Sequence, residues 1–266
     1  MQSGQSPTFV ELMELERIGS SHYLAGCCYE SPYPTYGGQI LAQAIYAAGA
    51  EVGVGRIPHS IHCHFLRAGD TSAPTTYSVE PIKTGRTISI WKVTAHNRDR
   101  LVAWVTISFH IQTEGLEAHT DVAPAVPGPE QGAPFEPIRA VSFEMRTTQE
   151  SISAGELPTR YWTRCIDALP PGDHLLHAAA IAYISDHSNA VAAHDNETHQ
   201  SGPSLDHGLW FHAPAQATEW MLVDLAPGSV SSGRGWYAGR TFDRTGRPTS
   251  RFAQELMVVE GRQPYS

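Results

Sequence analysis

The stretch Asp173-His174-Leu175-Leu176-His177-Ala178-Ala179-Ala180-Ile181-Ala182-Tyr183-Ile184-Ser185-Asp186 constrains this chain more than any other. Between its two aspartates no residue carries a full charge at neutral pH. Ala and Leu, the best helix formers, dominate without Gly or Pro, so a helix is predicted over 174–185. A helix apolar on nearly every face has no solvent side and must be wrapped by other structure. It is too short to span a bilayer. Its last turn ends in Asp186, where the partial negative charge of a helix C-terminus disfavours a second negative charge. A carboxylate set against the dipole requires an explanation.

The rest of the chain supplies wrapping material twice over. A short helix is predicted over 7–18 and a strand from Ser20 to Cys28. Tyr36-Gly37-Gly38-Gln39 then opens an Ala-rich helix through Ala48, its glycines allowing close backbone approach at the helix N-terminus. Strands follow from Ser60 to Leu66, Thr75 to Ile82, Thr87 to His96 and Leu101 to Gln112, separated by Gly, Asn and Asp turn signals. From Glu114 to Pro137 five prolines and little periodicity mark a linker. Beyond it the order returns: strands at Val141 to Arg146 and Tyr161 to Cys165, the buried helix, then Leu205 to His212, Glu219 to Leu225, Gly233 to Phe242 and Ser250 to Val259. The chain reads as a tandem repeat. Gly85-Arg86 and Gly233-Arg234 each open the third strand of their half, and that register sets Thr106 opposite Gln254.

Composition excludes several functions. The 266 residues, 41% of them apolar, suffice for a sizeable core. The net charge of −9 argues against sequence-independent binding to nucleic acid or an anionic membrane surface. No basic and apolar leader opens the chain and no stretch is long and apolar enough for a membrane span, so stable membrane association is not expected. Four cysteines, at 27, 28, 63 and 165, with two of them adjacent, do not suggest a disulfide framework, and a reducing cytoplasm fits best.

Four blocks identify a resemblance. Tyr36-Gly37-Gly38-Gln39, His59 to Asp70 (HSIHCHFLRAGD), Tyr183-Ile184-Ser185-Asp186 and Leu205 to His212 (LDHGLWFH) are similar, in order and spacing, to the signature blocks of the bacterial acyl-CoA thioesterase II family. The resemblance covers nearly the whole chain outside the linker and the stretch around 146–160. It implies an α+β double hotdog, two tandem repeats each with a long central helix wrapped by an antiparallel β-sheet. The divisions would be 1–113, the linker 114–137, and 138–266 carrying the catalytic residues. It further implies hydrolysis of acyl-CoA with no metal or organic cofactor, and a homo-oligomer. Ala68 stands where the family has Pro, and Gly233 where it has Ala.

By local motif the family's water-activating trio carries over to Asp186, Ser204 and Gln254, where Ser204 stands for the more usual Thr. The chemistry is coherent: thioester hydrolysis needs a base for water, groups to hold that water, and a positive site for the oxyanion. Asp186 is the acceptor-only member and the natural base, while Ser204 and Gln254 can also donate. Read without the blocks, Asp186 is an ordinary helix end, Ser204 a turn serine after Gly202-Pro203, and Gln254 an outward strand residue. The oxyanion donor is expected at a helix N-terminus, from Gly37, Gly38 or the segment near His177. Arg67, Arg86 and Arg234 suit coenzyme A phosphates, because guanidinium pairs match phosphate oxygens.

Competing readings are weaker. His62-Cys63-His64 puts two imidazoles on one strand face, but no third metal ligand follows at a familiar spacing. No Gly-X-Ser-X-Gly marks a serine hydrolase, and phosphate-loop and dinucleotide fingerprints are absent. An enoyl-CoA hydratase of the same fold pairs an Asp with a spaced His, whereas His187 adjoins Asp186. An acyl-CoA-binding protein without activity would not need three intact polar positions.

Overall fold

Alternating residues along the strands bury one face and leave the other to solvent, and two apolar helices pack against each other on the buried side. The computed structural model describes residues 7–29, 31–136, 140–148, 158–187, 199–214 and 216–260. In chain order the elements are α1 (Phe9–Leu12), β1 (Leu15–Gly19), β2 (His22–Ala25), α2 (Gly37–Val52), β3 (Arg56–Phe65), β4 (Thr75–Thr84), β5 (Ile88–Asn97) and β6 (Arg100–Ile111). The second half continues with β7 (Pro134–Phe135), β8 (Phe143–Thr147), β9 (Arg160–Cys165), α3 (His174–Ser185), β10 (His199–Phe211), β11 (Met221–Ser231), β12 (Arg234–Phe242) and β13 (Pro248–Glu260).

All the strands join one antiparallel sheet in the order β1-β2-β4-β5-β6-β3-β10-β13-β12-β11-β9-β8-β7. The halves meet where β3 pairs β10, with His62 opposite Gly208. Reading outward from that seam, β3-β6-β5-β4-β2 on one side matches β10-β13-β12-β11-β9 on the other. The repeat is therefore one of topology, and the antiparallel sheet with few helices fits the hotdog expectation. The helix of the first half has sixteen residues and that of the second twelve.

Every residue of α3 from Leu176 to Ser185 is buried, and most of α2 is as well. The two helices run antiparallel against each other. A Cβ at Gly49 would lie 2.3 Å from Leu175 Cδ2, and one at Gly38 would lie 2.1 Å from the Tyr183 carbonyl. Tyr36 reinforces that second contact by donating its hydroxyl to the Tyr183 carbonyl at 2.9 Å. Phe9, Phe143 and Tyr36 pack around the Tyr183 ring.

Several expectations are corrected. The helix predicted over 7–18 opens on a Thr8–Glu11 capping box and ends at Leu12 after one turn, and residues 15–19 instead form β1. Ser21, at φ 56°, makes the tight turn that lays β1 along β2 at the sheet edge. Within the predicted linker a 3-10 turn spans Pro129–Gln131 and β7 pairs β8. The linker is strapped across the outer face of the second half. Arg251 Nε bonds Asp121 at 2.8 Å, Arg244 pairs Glu130 at 2.8 Å, and Trp162 donates to the Pro127 carbonyl at 2.9 Å. Pro137, the linker's predicted end, lies outside the described residues. Thr106 is set opposite the outward-facing His62 and Lys92, whereas Gln254 points inward and is buried, so a one-residue slip separates the expected pair. Among the described residues no helix is long and apolar enough to cross a membrane.

Gly38 tests this packing. Alanine there drives a methyl into the Tyr183 carbonyl and the Tyr36 ring, both fixed. Overpacking costs about 1–3 kcal/mol. Gly38→Ala should lower the urea unfolding midpoint correspondingly, whereas alanine at Gly26, where nothing lies within 4 Å, should not.

Candidate active site

Asp186 follows the last turn of α3 in helical conformation (φ −83°, ψ −3°), with its carboxylate reaching across to the start of α2. Oδ2 accepts the Gly38 backbone N–H at 2.9 Å. This explains a carboxylate placed against the α3 dipole: its partner is the positive N-terminus of the neighbouring helix. A Cβ at Gly37 would come 2.7 Å from the same oxygen and 3.0 Å from the Phe65 ring. Both glycines are thus required for the carboxylate to approach. Gly38, proposed from sequence as a substrate contact, spends its N–H on Asp186; the Gly37 N–H bonds no group among the described residues.

Ser204 and Gln254 come together directly. Gln254 Nε2 donates to Ser204 Oγ at 2.6 Å. A β-bulge makes this possible: Ser204 pairs Leu256 while Asp206 pairs Glu255, so β10 spends one extra residue against β13. Without it Ser204 and Asp206 would share a face. With it Ser204 turns inward while Asp206 turns out and accepts the Glu255 N–H at 3.1 Å, a structural role.

Two residues not singled out from sequence complete the centre. His207, 1% exposed, lies with Nδ1 2.5 Å from Gln254 Oε1 and Nε2 2.9 Å from Ser185 Oγ. Ser185 Oγ also lies 2.9 Å from the Ala182 carbonyl. Hydrogen bonds therefore run from Ser204 through Gln254 and His207 to Ser185, the residue before Asp186. The available signal was alternation: His207, Leu209 and Phe211 share the inward face of a strand in which Ser204 was already a candidate.

Burial dominates the electrostatics. It lowers the His207 imidazole to about 4, partly offset by Gln254, and lowers His187 to about 4. Burial, then the charges of Asp186 and Asp206, raises the Cys63 thiol well above its ordinary value, so it is not a thiolate nucleophile. Burial and then Asp186 likewise raise the Tyr36 phenol. His62 and His64 share a face as expected, but their rings turn to different tryptophans, Trp210 and Trp104. His177 sits on the far side of α3, accepting the Ala217 N–H at 3.0 Å.

The three arginines do not join this centre. Arg67 is exposed beyond β3 and donates to the Leu101 carbonyl at 3.0 Å. Arg86 lies in the turn before β5, and Arg234 opens β12 opposite Met257, paired with Glu255 at 3.0 Å. Two hollows also lie elsewhere. One, of about 520 Å³, is on the outer sheet face and includes Trp210, Arg240 and Ala253. The other, of about 550 Å³, lies between Met13, Leu15, Tyr46 and Leu176.

Comparison with known proteins agrees in both halves. Residues 30–110 match the model of the acyl-CoA thioesterase N-terminal domain, and residues 113–258 that of the acyl-CoA thioesterase C-terminal domain. Acyl-coenzyme A thioesterase 8 of Mus musculus is 30% identical, over 84% of this chain and 79% of its own. Acyl-CoA thioesterase 2 of Haemophilus influenzae is 29% identical, over 94% and 96% respectively. The crystal structure of the acyl-CoA thioesterase II TesB2 from Mycobacterium marinum superposes with a TM-score of 0.79 at 29% identity, covering 96% of this chain and 99% of that one.

The buried imidazoles predict a pH dependence. Unfolded, His187 and His207 titrate near 6.5; folded, burial holds them at about 4. Between those values the unfolded chain binds protons the folded one refuses, so stability is full above pH 6.5 and declines as pH falls toward 4. Each histidine contributes up to roughly 3 kcal/mol at about 1.4 kcal/mol per unit. Urea midpoints should fall across this window, and less steeply in His207→Asn.

Proposed function

The chain belongs to the acyl-CoA thioesterase family and is a thioester hydrolase; on that premise we propose that Asp186, Ser204 and Gln254 activate water to hydrolyse acyl-CoA. Asp186 takes a proton from a water held by Ser204 and Gln254, and the water oxygen attacks the thioester carbonyl carbon. Negative charge on the carbonyl oxygen falls to the α2 N-terminus, where the Gly37 N–H is the donor not spent on Asp186. The carbon–sulfur bond then breaks, the acid is released, and the coenzyme A thiolate recovers the proton from Asp186.

The observation that supports this reading is a chain of hydrogen bonds from Ser204 through Gln254 and His207 to Ser185, the residue next to Asp186 in sequence. A hydratase reading lacks such support, because the His187 ring is buried against Tyr161. We further propose that each helix is the centre of its own hotdog, divided as 1–113 and 138–266. The exposed Arg67 and Arg86 remain available to coenzyme A phosphates, and Arg234 would first have to release Glu255. Trp104, Trp210 and Trp236, each more than a third exposed, offer a surface for a homo-oligomer. No disulfide joins the cysteines among the described residues, in keeping with a cytoplasmic protein.

Asp186→Asn keeps size and hydrogen-bonding reach but removes the base. Positioned proton transfer contributes roughly 10²- to 10⁴-fold, so kcat should fall at least about a hundredfold in a free-thiol assay on acyl-CoA, with KM little changed. Stability should barely move, since the lost charge was favoured by α2 and disfavoured by α3. Near wild-type turnover in this variant would remove Asp186 from the mechanism.

A further inference from the structure

We infer that His207 is a positioning residue that fixes the direction of the hydrogen-bond chain and thereby makes Ser204 a hydrogen-bond donor to the reacting groups. This deepens the hydrolase reading and rests on it. The argument is an accounting of protons. The Gln254 amide presents its carbonyl oxygen to His207 Nδ1 at 2.5 Å and its NH₂ to Ser204 Oγ at 2.6 Å. A carbonyl oxygen only accepts, so Nδ1 must carry the proton.

A fully buried imidazole is held neutral near pH 7, so Nε2 is then bare. Bare Nε2 can only accept, and the group facing it is the Ser185 hydroxyl at 2.9 Å. That hydroxyl has one hydrogen between two acceptors at equal distance, His207 Nε2 and the Ala182 carbonyl. With Nε2 bare, the hydroxyl turns its hydrogen from the Ala182 carbonyl to His207, and the direction runs from the helix end outward: Ser185 O–H to His207, His207 Nδ1–H to Gln254, Gln254 N–H to Ser204. Ser204 receives a hydrogen bond on one lone pair and keeps its own proton for the water or the thioester oxygen.

The opposite polarity is also internally consistent. With the amide turned over, Ser204 spends its proton on Gln254, Nδ1 is bare and Nε2 carries the hydrogen toward Ser185. Ser204 would then offer only lone pairs to the site. The two polarities differ at one place, the His207 tautomer, which can be observed without any catalytic assay.

The test is a long-range proton–nitrogen NMR spectrum of the full chain with ¹⁵N-labelled histidine. His207 is assigned by its loss in His207→Asn or, if that variant does not fold, by contacts of its ring with Phe252, which stacks on it. The inference predicts a protonated, pyrrole-type Nδ1 and a bare, pyridine-type Nε2; a protonated Nε2 overturns it. Kinetics supply the second arm. Asn places an amide N–H where Nδ1–H stands, whereas Gln places it near Nε2. His207→Asn should keep kcat within about tenfold and His207→Gln should lose about a hundredfold, both with KM within about twofold. Equal losses in the two variants count against the inference. A wild-type protein that released no thiol from acyl-CoA would instead sink the hydrolase reading and leave the tautomer result standing.

Discussion

A charge-assisted hydrogen bond, from the Gly38 N–H to the Asp186 carboxylate, ties the two halves of this molecule at the place where chemistry is assigned. Two helix ends of opposite sign meet there. The C-terminus of α3 repels the carboxylate and the N-terminus of α2 attracts it, so the charge is held by a balance that neither half supplies alone. The steric requirement is equally strict, because Gly37 and Gly38 leave no room for a side chain between the helices. Tyr36 fixes the approach by capping the Tyr183 carbonyl.

The same arrangement explains why the second helix junction looks different. At the start of α3 the position of the approaching carboxylate is filled by the helix's own residue: Asp173 accepts the Leu176 N–H at 3.0 Å. One residue from the His62–Gly208 seam, the inward pair in the second half is His207 with Gln254, and in the first half it is Ile61 with Ile107. The topology is doubled, and the polar centre belongs to one copy.

Much of this could be read in the sequence, for identifiable reasons. The run from 174 to 185 is apolar on every face, and only a wrapped helix satisfies that. Gly37-Gly38 at a helix start announced close approach, although toward a carboxylate from the other half rather than toward substrate alone. The strand cores followed from alternation. What escaped depends on pairing in three dimensions. Residues 15–19 have no buried stripe and became a strand because β2 offered an open edge. The bulge at Ser204 leaves no composition signal, yet it sets which side chains of β10 face Gln254. His207 reads as one of fourteen histidines until its partners are known. The linker's prolines hid four acidic side chains between Glu114 and Glu130, three of which clamp arginines of the second half.

The central claim is that Asp186 acts on water and never on the acyl carbon itself. A single turnover in H₂¹⁸O, with enzyme in excess over acyl-CoA, tests it most directly. Direct attack by water predicts one ¹⁸O in the carboxyl group of the released acid and none in the Asp186 peptide. An unlabelled acid from that first turnover, with ¹⁸O found in the Asp186 side chain, would mean that the carboxylate attacks the thioester as a nucleophile, and the account would be wrong.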